Sequence, residues 1–242
     1  MEFTPELMMS MMNSTSQKQT STKLEDLEEE RNSKIIIIRH DINKNSFMSL
    51  LNSQQELSRE DALSFIKTLR SIPEDKTVEI ILTTPGGSLA AAEVIVNAIL
   101  NHKGKVIVYI PEYACSTGTI ISLAANEIYL GKNAFMGPAD PQFRFGYSAS
   151  SLISYTDELK NEGSWITDIA KLVKSEAKKS MDWTADIINR IYEVRDREMP
   201  TELYDTLFSG RYNHERPLFF KDLDKLIENL HEGIPDAIYE LR

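Results

Sequence analysis

A serine stands where a predicted strand gives way to a predicted helix. Ser116 follows the apolar run Val106–Ile110 and a short connection, and its neighbours are small, in the order ACSTGT. A sharp turn of this kind exposes a hydroxyl, small neighbours leave room for a substrate, and a helix N-terminus stabilises developing negative charge. These features predict a serine nucleophile. The alternative is that the Ser116 hydroxyl only caps the helix, which is a common duty of serine.

A second turn, rich in glycine, lies earlier in the chain. Gly86 and Gly87 follow the apolar pattern Val78–Leu82 and precede the helical pattern Ser88–Leu100. Glycine adopts positive φ at little cost and exposes backbone N–H groups, so such a turn at a helix N-terminus can hold an anion or an oxyanion. A tight turn without a binding role is the alternative. Both turns are expected at the same edge of a parallel sheet, where their N–H groups would converge.

Strand and helix patterns alternate over the middle of the chain. The strand patterns are short, apolar and β-branched, and the first helical pattern between them has Ser58 as a predicted N-cap. The predicted strands are Ile35–Ile38, Val78–Leu82, Val106–Ile110 and Ile128–Leu130. Because parallel strands need crossover helices, this alternation predicts an α/β core with mainly parallel pairing. Later in the chain, the predicted helices cover roughly residues 165–179, 183–197, 201–208, 223–230 and 235–241.

Composition and charge describe a soluble globular chain. Of its 242 residues, 41% are hydrophobic, and 27 Lys and Arg face 37 Asp and Glu, which gives a net charge of −10. One domain of ordinary size is expected. The acidic balance argues against a broad nucleic-acid-binding surface, which needs clustered basic side chains. The single cysteine, Cys115, excludes an intramolecular disulfide and a multi-cysteine zinc site.

The N-terminal segment differs from the rest of the chain. Residues 1–33 are rich in Met, Ser, Thr and Gln and then acidic, so we predict a disordered tail before a single domain at residues 34–242. A partner-binding helix is the alternative for the tail. No apolar run approaches the roughly 20 residues of a membrane span, and no secretory signal is recognisable. We therefore predict a cytoplasmic protein without a membrane span.

Six short segments together resemble one protein family. They are TPGG at 84–87, YACSTGT at 113–119, LAANEI at 123–128, GPADPQ at 137–142, SGRYNHERPL at 209–218 and IPDAIYEL at 234–241. In this order and spacing they are similar to the serine dehydrogenase proteinase family. That family is itself similar to signal peptide peptidase A and the Clp protease subunit, within the ClpP/crotonase superfamily. The resemblance covers residues 35–241.

The resemblance implies a fold, an activity and a set of site residues. The fold would be α/β, a ClpP/crotonase-like core of repeated β-β-α units in a superhelix, with a helical C-terminal third. The activity would be that of a serine endopeptidase without cofactor or metal, acting on a peptide or protein and assembled as a trimer, hexamer or larger homo-oligomer. Ser116 would attack the peptide carbonyl, and backbone N–H groups of Gly86 or Gly87 and of Thr117 would form the oxyanion hole. Thr83 and Thr117 depart from the histidine and the glycine that the family often has there.

A general base for Ser116 is less evident in the sequence. The loop after the fourth predicted strand, which corresponds to the one carrying the Clp histidine, contains no histidine, so a triad of Clp type is not expected. A Ser-Lys dyad, as in signal peptide peptidases, is the predicted substitute, with Lys171 first and then Lys174 and Lys160. Such a lysine has to be partly desolvated, and the alternative is that these lysines form a solvated helix face.

His214 and Asp140 lie in the resembling segments and are interpreted as structural. His214 is expected to be a satisfied histidine near the cleft, and Asp140 to shape a rigid loop between two prolines; orientation of a base is the alternative for Asp140. A non-catalytic interaction protein that kept the fold but lost the base is a second functional hypothesis. A crotonase-type acyl-CoA enzyme is a third, and it is favoured least because Ser116 has no part in its chemistry.

Overall fold

The computed structural model describes residues 21–40, 56–143, 146–158 and 165–241. The strands are β1 (Ser33–Arg39), β2 (Thr77–Thr83), β3 (Val106–Ile110), β4 (Tyr113–Ala114), β5 (Glu127–Leu130), β6 (Phe135–Met136), β7 (Gln142–Phe143), β8 (Tyr147–Ser148) and β9 (Leu230–Glu232). The helices are α1 (21–30), α2 (Arg59–Arg70), α3 (Leu89–Asn101), α4 (Thr117–Leu123), α5 (Ala149–Glu158), α6 (Trp165–Val194), α7 (Thr201–Leu207), α8 (Phe220–Leu223) and α9 (Asp236–Tyr239).

A five-stranded parallel sheet lies at the centre of the fold. Its strand order is β1-β2-β3-β5-β9, and every neighbouring pair is parallel. One row of paired residues crosses the sheet from Ile36 through Ile80, Val108 and Ile128 to Leu230. These five side chains belong to the main hydrophobic core, to which α2, α3, α4 and α6 also contribute. The predicted α/β class with a parallel sheet is confirmed.

The opposite face of the sheet packs against α1 and α9. Leu27 of α1 and Ile238 of α9 join Ile81 and Tyr109 of the sheet in a second, smaller core. Burial on both faces explains why the strands read as nearly continuous apolar runs in the sequence.

The helix α1 is anchored by an ion pair as well as by its apolar contact. Arg31, just after α1, donates to the buried carboxylate of Glu79 at 2.8 Å. The predicted disordered tail is therefore wrong for residues 21–33, which form α1 and the start of β1. These tertiary contacts outweigh the polar composition on which that prediction was based. Residues 1–20 lie outside the described residues.

Between residues 165 and 241 the structure has one helix fewer and one strand more than predicted, and α5 precedes them without having been predicted. The helix α6 is continuous over 30 residues where two helices were predicted. The strand β9 begins at Leu230, the end of a predicted helix. It has only three residues, and it exists because it pairs with β5, a long-range contact that a local pattern does not reveal.

Short parallel contacts at the carboxyl edge of the sheet hold the predicted turns together. Thr84, directly after β2, forms a bridge with Ala114 of β4, and Ala114 in turn lies opposite Met136 of β6. The glycine turn follows Thr84, the serine turn follows Ala114, and a third loop follows Met136. These three segments therefore lie side by side.

Candidate active site

Ser116 sits on a strained turn, and its hydroxyl is not used for capping. Its φ of 53° and ψ of −122° lie where residues with a side chain are seldom found, and it begins α4 without a side-chain cap hydrogen bond. The backbone holds the turn instead, because the Ser116 N–H donates to Pro138 O at 3.1 Å and Ser116 O accepts the Thr119 N–H at 2.9 Å. The alternative of a merely capping serine does not hold. The half-buried side chain is available for chemistry.

Gly86 packs directly against Ser116. A Cβ atom at Gly86 would lie 2.7 Å from Ser116 Cβ and 2.8 Å from Cys115 O, and Gly86 has a φ of +103°. A Cβ atom at Gly87 would lie 2.4 Å from Leu57 O on the segment before α2. No other residue type fits at either position without a shift of the backbone. The glycine turn is thus closely packed between Ser116 and Leu57.

The hydrogen bonds of Gly86 determine the direction of the next N–H group. The Gly86 N–H donates to Thr84 Oγ1 at 3.2 Å, and Gly86 O accepts the Leu57 N–H at 2.7 Å. In the described chain no peptide bond is cis, so the Gly87 N–H points opposite to Gly86 O and away from Leu57. Neither this N–H nor that of Thr117 donates to an acceptor within the ranges that the structure covers. The N–H groups of Gly87 and Thr117 therefore have no acceptor among the described residues, whereas the Gly86 N–H is occupied.

A buried carboxylate holds a histidine on a neighbouring segment. Asp140 Oδ1 lies 2.8 Å from His214 Nδ1, and Asp140 Oδ2 accepts from Gln142 Nε2 at 2.7 Å. The Asp140 side chain is 3% exposed and the His214 side chain 25% exposed. Donation from Nδ1–H to the carboxylate leaves Nε2 as an acceptor, which is the tautomer that a general base requires. This pair was not predicted from sequence, because 74 residues separate its members and no local motif joins them.

The loop that carries Asp140 also contacts the serine turn. Pro138 O accepts the Ser116 N–H, and Gly137 O accepts the Thr119 hydroxyl at 2.7 Å. Asp140 is two residues beyond Pro138, a chain length of at most about 7 Å. One loop therefore supports the candidate nucleophile at one end and orients a histidine at the other.

Of the lysines predicted as bases, Lys171 lies on a solvated face of α6, whereas Lys174 is partly buried. Lys171 Nζ is 3.7 Å from Asp168 Oδ1, one turn away, and its side chain is 73% exposed. Lys174 forms an ion pair with Asp157 of α5. A lysine base has to be desolvated and free of carboxylates, because water and negative charge both stabilise its protonated form. Neither described lysine has such surroundings, and Lys160 lies outside the described residues.

Cys115, the neighbour of Ser116, is a packing residue. A Cβ atom at Gly137 would lie 2.9 Å from both Cβ and Sγ of Cys115, so the thiol fills the space beside the loop. Burial raises the pKa of the Cys115 thiol to about 11. Because the thiolate is the reactive form, this cysteine is a poor nucleophile at neutral pH.

A cavity of about 610 Å³ adjoins the Asp140–His214 pair. Tyr147, Ser151 and Arg211 are among the residues that line it, so its walls are largely polar. No group of three or more His, Cys, Asp or Glu side chains in the described part of the chain is arranged to hold a metal ion. None of the described helices is both long and apolar enough to cross a bilayer.

Sequence comparison assigns the family. The model of ClpP-like SDH-type serine proteinases matches residues 2–242. The chain belongs to this family. Two uncharacterized proteins of Methanocaldococcus jannaschii are relatives: MJ1495 is 31% identical over 221 residues, which are 90% of this chain and 73% of that protein. MJ0137 is 31% identical over 184 residues, which are 75% of this chain and 63% of that protein.

Two solved structures share this fold. A mutant of ClpP1 from Listeria monocytogenes has a TM-score of 0.53 and 17% identity, with 93% of this chain and 99% of that chain covered. A mutant of 1510-N, a membrane-bound stomatin-specific protease, has a TM-score of 0.50 and 19% identity, with 77% and 79% covered. These similarities confirm the predicted ClpP-like fold.

Proposed function

We propose that this ClpP-like SDH-type proteinase family member is a serine endopeptidase in which Ser116 is the nucleophile, His214 the general base and Asp140 the residue that orients His214. The observation that carries the proposal is the loop 137–140, which accepts the Ser116 N–H through Pro138 and holds His214 through Asp140. His214 replaces the predicted lysines because its partner leaves Nε2 as a proton acceptor, whereas Lys171 and Lys174 are paired with carboxylates.

The reaction would proceed through an acyl-enzyme. His214 Nε2 takes the proton of Ser116 Oγ as Oγ bonds to the peptide carbonyl carbon, and the carbonyl oxygen becomes an oxyanion. The N–H groups of Gly87 and Thr117 would donate to that oxyanion, and each such donor is typically worth about 3 kcal/mol in the transition state. The peptide C–N bond then breaks, and the leaving amine takes the proton from His214. Water, deprotonated by the same histidine, hydrolyses the ester and restores Ser116.

The amino-acid types at the site agree with a peptide substrate and an enzyme without a metal or cofactor. The attacking group, the base and the oxyanion donors are all provided by the chain itself. An extended peptide would lie across the glycine turn and reach the cavity beside His214. A homo-oligomer and a cytoplasmic location are further parts of the proposal.

Fluorophosphonate labelling read by intact mass tests the proposal. The wild type, Ser116→Ala, His214→Gln and the matched lysine variants Lys171→Ala and Lys174→Ala are compared from pH 6 to pH 10. We expect one adduct per chain in the wild type, none in Ser116→Ala, labelling slowed at least about 100-fold in His214→Gln, and unchanged rates in both lysine variants.

Three outcomes would contradict this proposal in different ways. Rapid labelling of His214→Gln with loss in Lys171→Ala or Lys174→Ala would return the base to a lysine. An adduct that persists in Ser116→Ala would identify another nucleophile. No adduct on the folded wild type at any pH would favour the non-catalytic interaction protein, which keeps the family fold without its chemistry.

A further inference from the structure

A buried histidine that the proposed reaction does not use lies behind the glycine turn. His40 follows β1 and is 7% exposed. Its backbone is fixed on both sides, since the His40 N–H donates to Thr83 O at 2.8 Å and His40 O accepts the Tyr113 hydroxyl at 2.8 Å. An imidazole enclosed in this way has to be satisfied by specific partners, and its two ring nitrogens face different ones.

The partners of His40 connect α2 to the glycine turn. His40 Nε2 is 3.4 Å from Asp61 Oδ2, and His40 Nδ1 is 3.0 Å from Thr84 Oγ1. Asp61 is itself held by Ser58, whose N–H and hydroxyl donate to Oδ2 at 2.8 and 2.6 Å. Thr84 Oγ1 in turn accepts the Gly86 N–H at 3.2 Å. One chain of polar contacts thus runs from the N-cap of α2 to Gly86.

The ionisation state of Asp61 determines which atoms donate and which accept along this series of polar contacts. Partial burial raises the pKa of Asp61, but the hydrogen bonds from Ser58 and the neighbouring His40 outweigh it and leave that pKa below its ordinary value. The ionised carboxylate of Asp61 attracts a proton on Nε2, 3.4 Å away, and this leaves Nδ1 as the acceptor of the Thr84 hydroxyl. The remaining lone pairs of Thr84 Oγ1 then accept the Gly86 N–H. Every donor meets an acceptor in this arrangement.

We propose that Thr84, His40 and Asp61 are positioning residues for the oxyanion hole. They hold the Gly86 N–H, while Leu57 holds Gly86 O, so that both peptide planes around Gly86 are fixed and the Gly87 N–H is aimed at the reaction centre. This inference rests on the proposed function, because it assigns the Gly87 N–H to the oxyanion. Gly86 needs such support, since glycine at a φ of +103° has no side chain to restrict it.

The expected effect is on the transition state and not on substrate binding. A peptide in the ground state carries little charge on its carbonyl oxygen, whereas the tetrahedral oxyanion depends on the direction of each donor. Loosening of the turn should therefore lower kcat and leave KM nearly unchanged.

Thr84 offers a matched pair of substitutions. The methyl group of Thr84 packs closely against Gly118, where a Cβ atom would lie 2.5 Å from Thr84 Cγ2. Thr84→Val keeps the side-chain shape and this methyl group but removes the hydroxyl. Thr84→Ser keeps the hydroxyl and removes the methyl group. Thr184→Val is the control, because Thr184 is also buried and its hydroxyl donates to Ser180 O at 3.0 Å within α6. His40→Gln removes the imidazole and so interrupts the same series of hydrogen bonds at a second position.

Two readouts are measured on each variant: amide hydrogen exchange of Gly86 in protein labelled with ¹⁵N-glycine, and kcat and KM with a peptide substrate. For Thr84→Val and His40→Gln we expect Gly86 exchange to accelerate at least about 10-fold and kcat to fall about 10-fold or more, with KM within about twofold. Thr84→Ser and Thr184→Val should keep both the exchange rate and kcat within about threefold of the wild type.

The two readouts separate the failure of this inference from that of the proposed function. Ser116-dependent hydrolysis with unchanged kcat in Thr84→Val and His40→Gln would overturn the inference and leave the peptidase intact. Equal losses in Thr84→Ser and Thr84→Val would also overturn it, because the hydroxyl would then not matter. If Gly86 exchange accelerates in Thr84→Val and His40→Gln but the wild type shows no Ser116-dependent hydrolysis, the hydrogen-bonded chain is supported and the peptidase is rejected.

Discussion

Asp140 Oδ1 lies 2.8 Å from His214 Nδ1, although 74 residues separate the two in the sequence. The carboxylate is buried and has a second donor in Gln142, so it is fixed, and both Asp140 and His214 line the cavity. The first prediction tests this contact between Asp140 and His214.

Asp140→Asn should abolish most of the activity without unfolding the protein. The asparagine amide would donate to His214 Nδ1 and force the proton onto Nε2, which can then no longer accept the Ser116 proton. We expect kcat to fall about 10³- to 10⁴-fold, as the loss of an orienting carboxylate does in serine proteases. Peptide hydrolysis under saturating substrate measures this, and Gln142→Leu is the control that removes only the second donor. A loss smaller than about 10-fold in Asp140→Asn would exclude His214 as the base.

Gly86→Ala should destabilise the protein and stop labelling of Ser116. The new methyl group would meet Ser116 Cβ at 2.7 Å on a backbone with a φ of +103°. Gly233→Ala is the matched control, since Gly233 has a φ of +89° with nothing within 4 Å of its Cβ position. Urea unfolding should show a loss of about 1 kcal/mol in Gly233→Ala and a larger one in Gly86→Ala. Equal losses, or normal fluorophosphonate labelling of Gly86→Ala, would contradict the described packing.

The stability of the protein should fall between pH 9 and pH 11 in part because of Cys115. The thiol has its pKa raised from 9.0 to about 11 by burial, so the unfolded chain loses this proton before the folded one does. Proton release from the unfolded state favours unfolding as the pH rises through that window, whereas below pH 9 the thiol is protonated in both states and adds no pH dependence to the stability. Unfolding free energies of the wild type and Cys115→Ala measured at pH 7, 9 and 11 should therefore converge as the pH rises. A constant difference would refute the burial of the thiol.

Arg195→Met should destabilise the fold through the C-terminus of α4. The guanidinium donates twice to Ala124 O, at 2.8 and 2.6 Å, and so satisfies the carbonyl at the C-cap of the helix that begins after Ser116. We expect a loss of about 2–3 kcal/mol in urea unfolding, because the buried Ala124 carbonyl loses its charged donor and is left without a partner. Arg195→Lys should lose less, since one of the two donations can be kept. A loss within about 0.5 kcal/mol in Arg195→Met would show that water replaces the guanidinium.

Much of the fold and half of the site were predictable from the sequence. The central strands were visible because burial on both faces makes them short apolar runs, and Ser116 and the glycine turn were visible because each combines a strand end, small residues and a helix start within a few positions. Family motifs in a fixed order then specified the ClpP-like fold.

The rest depended on contacts that no local pattern contains. The strand β9 is defined by its pairing with β5, and α1 by the burial of Leu27 and the ion pair of Arg31. We predicted a lysine base because the spacing of lysines along a helix can be seen in a sequence. The pairing of Asp140 with His214, or of His40 with Asp61, cannot be seen there. Burial and partner identity decide which ionisable side chain can act, and both are tertiary properties.

The separation of 74 positions between Asp140 and His214 has a consequence during synthesis on the ribosome. With His214 as the proposed base, a nascent chain that has emerged through Ser116, the glycine turn and the loop 137–140 still has no group to accept the serine proton. The nucleophile becomes competent only when the segment around His214 has emerged and docked on Asp140. Because His214 is synthesised last of these residues, the proposed peptidase would be inactive while its chain is still close to other unfolded chains at the ribosome.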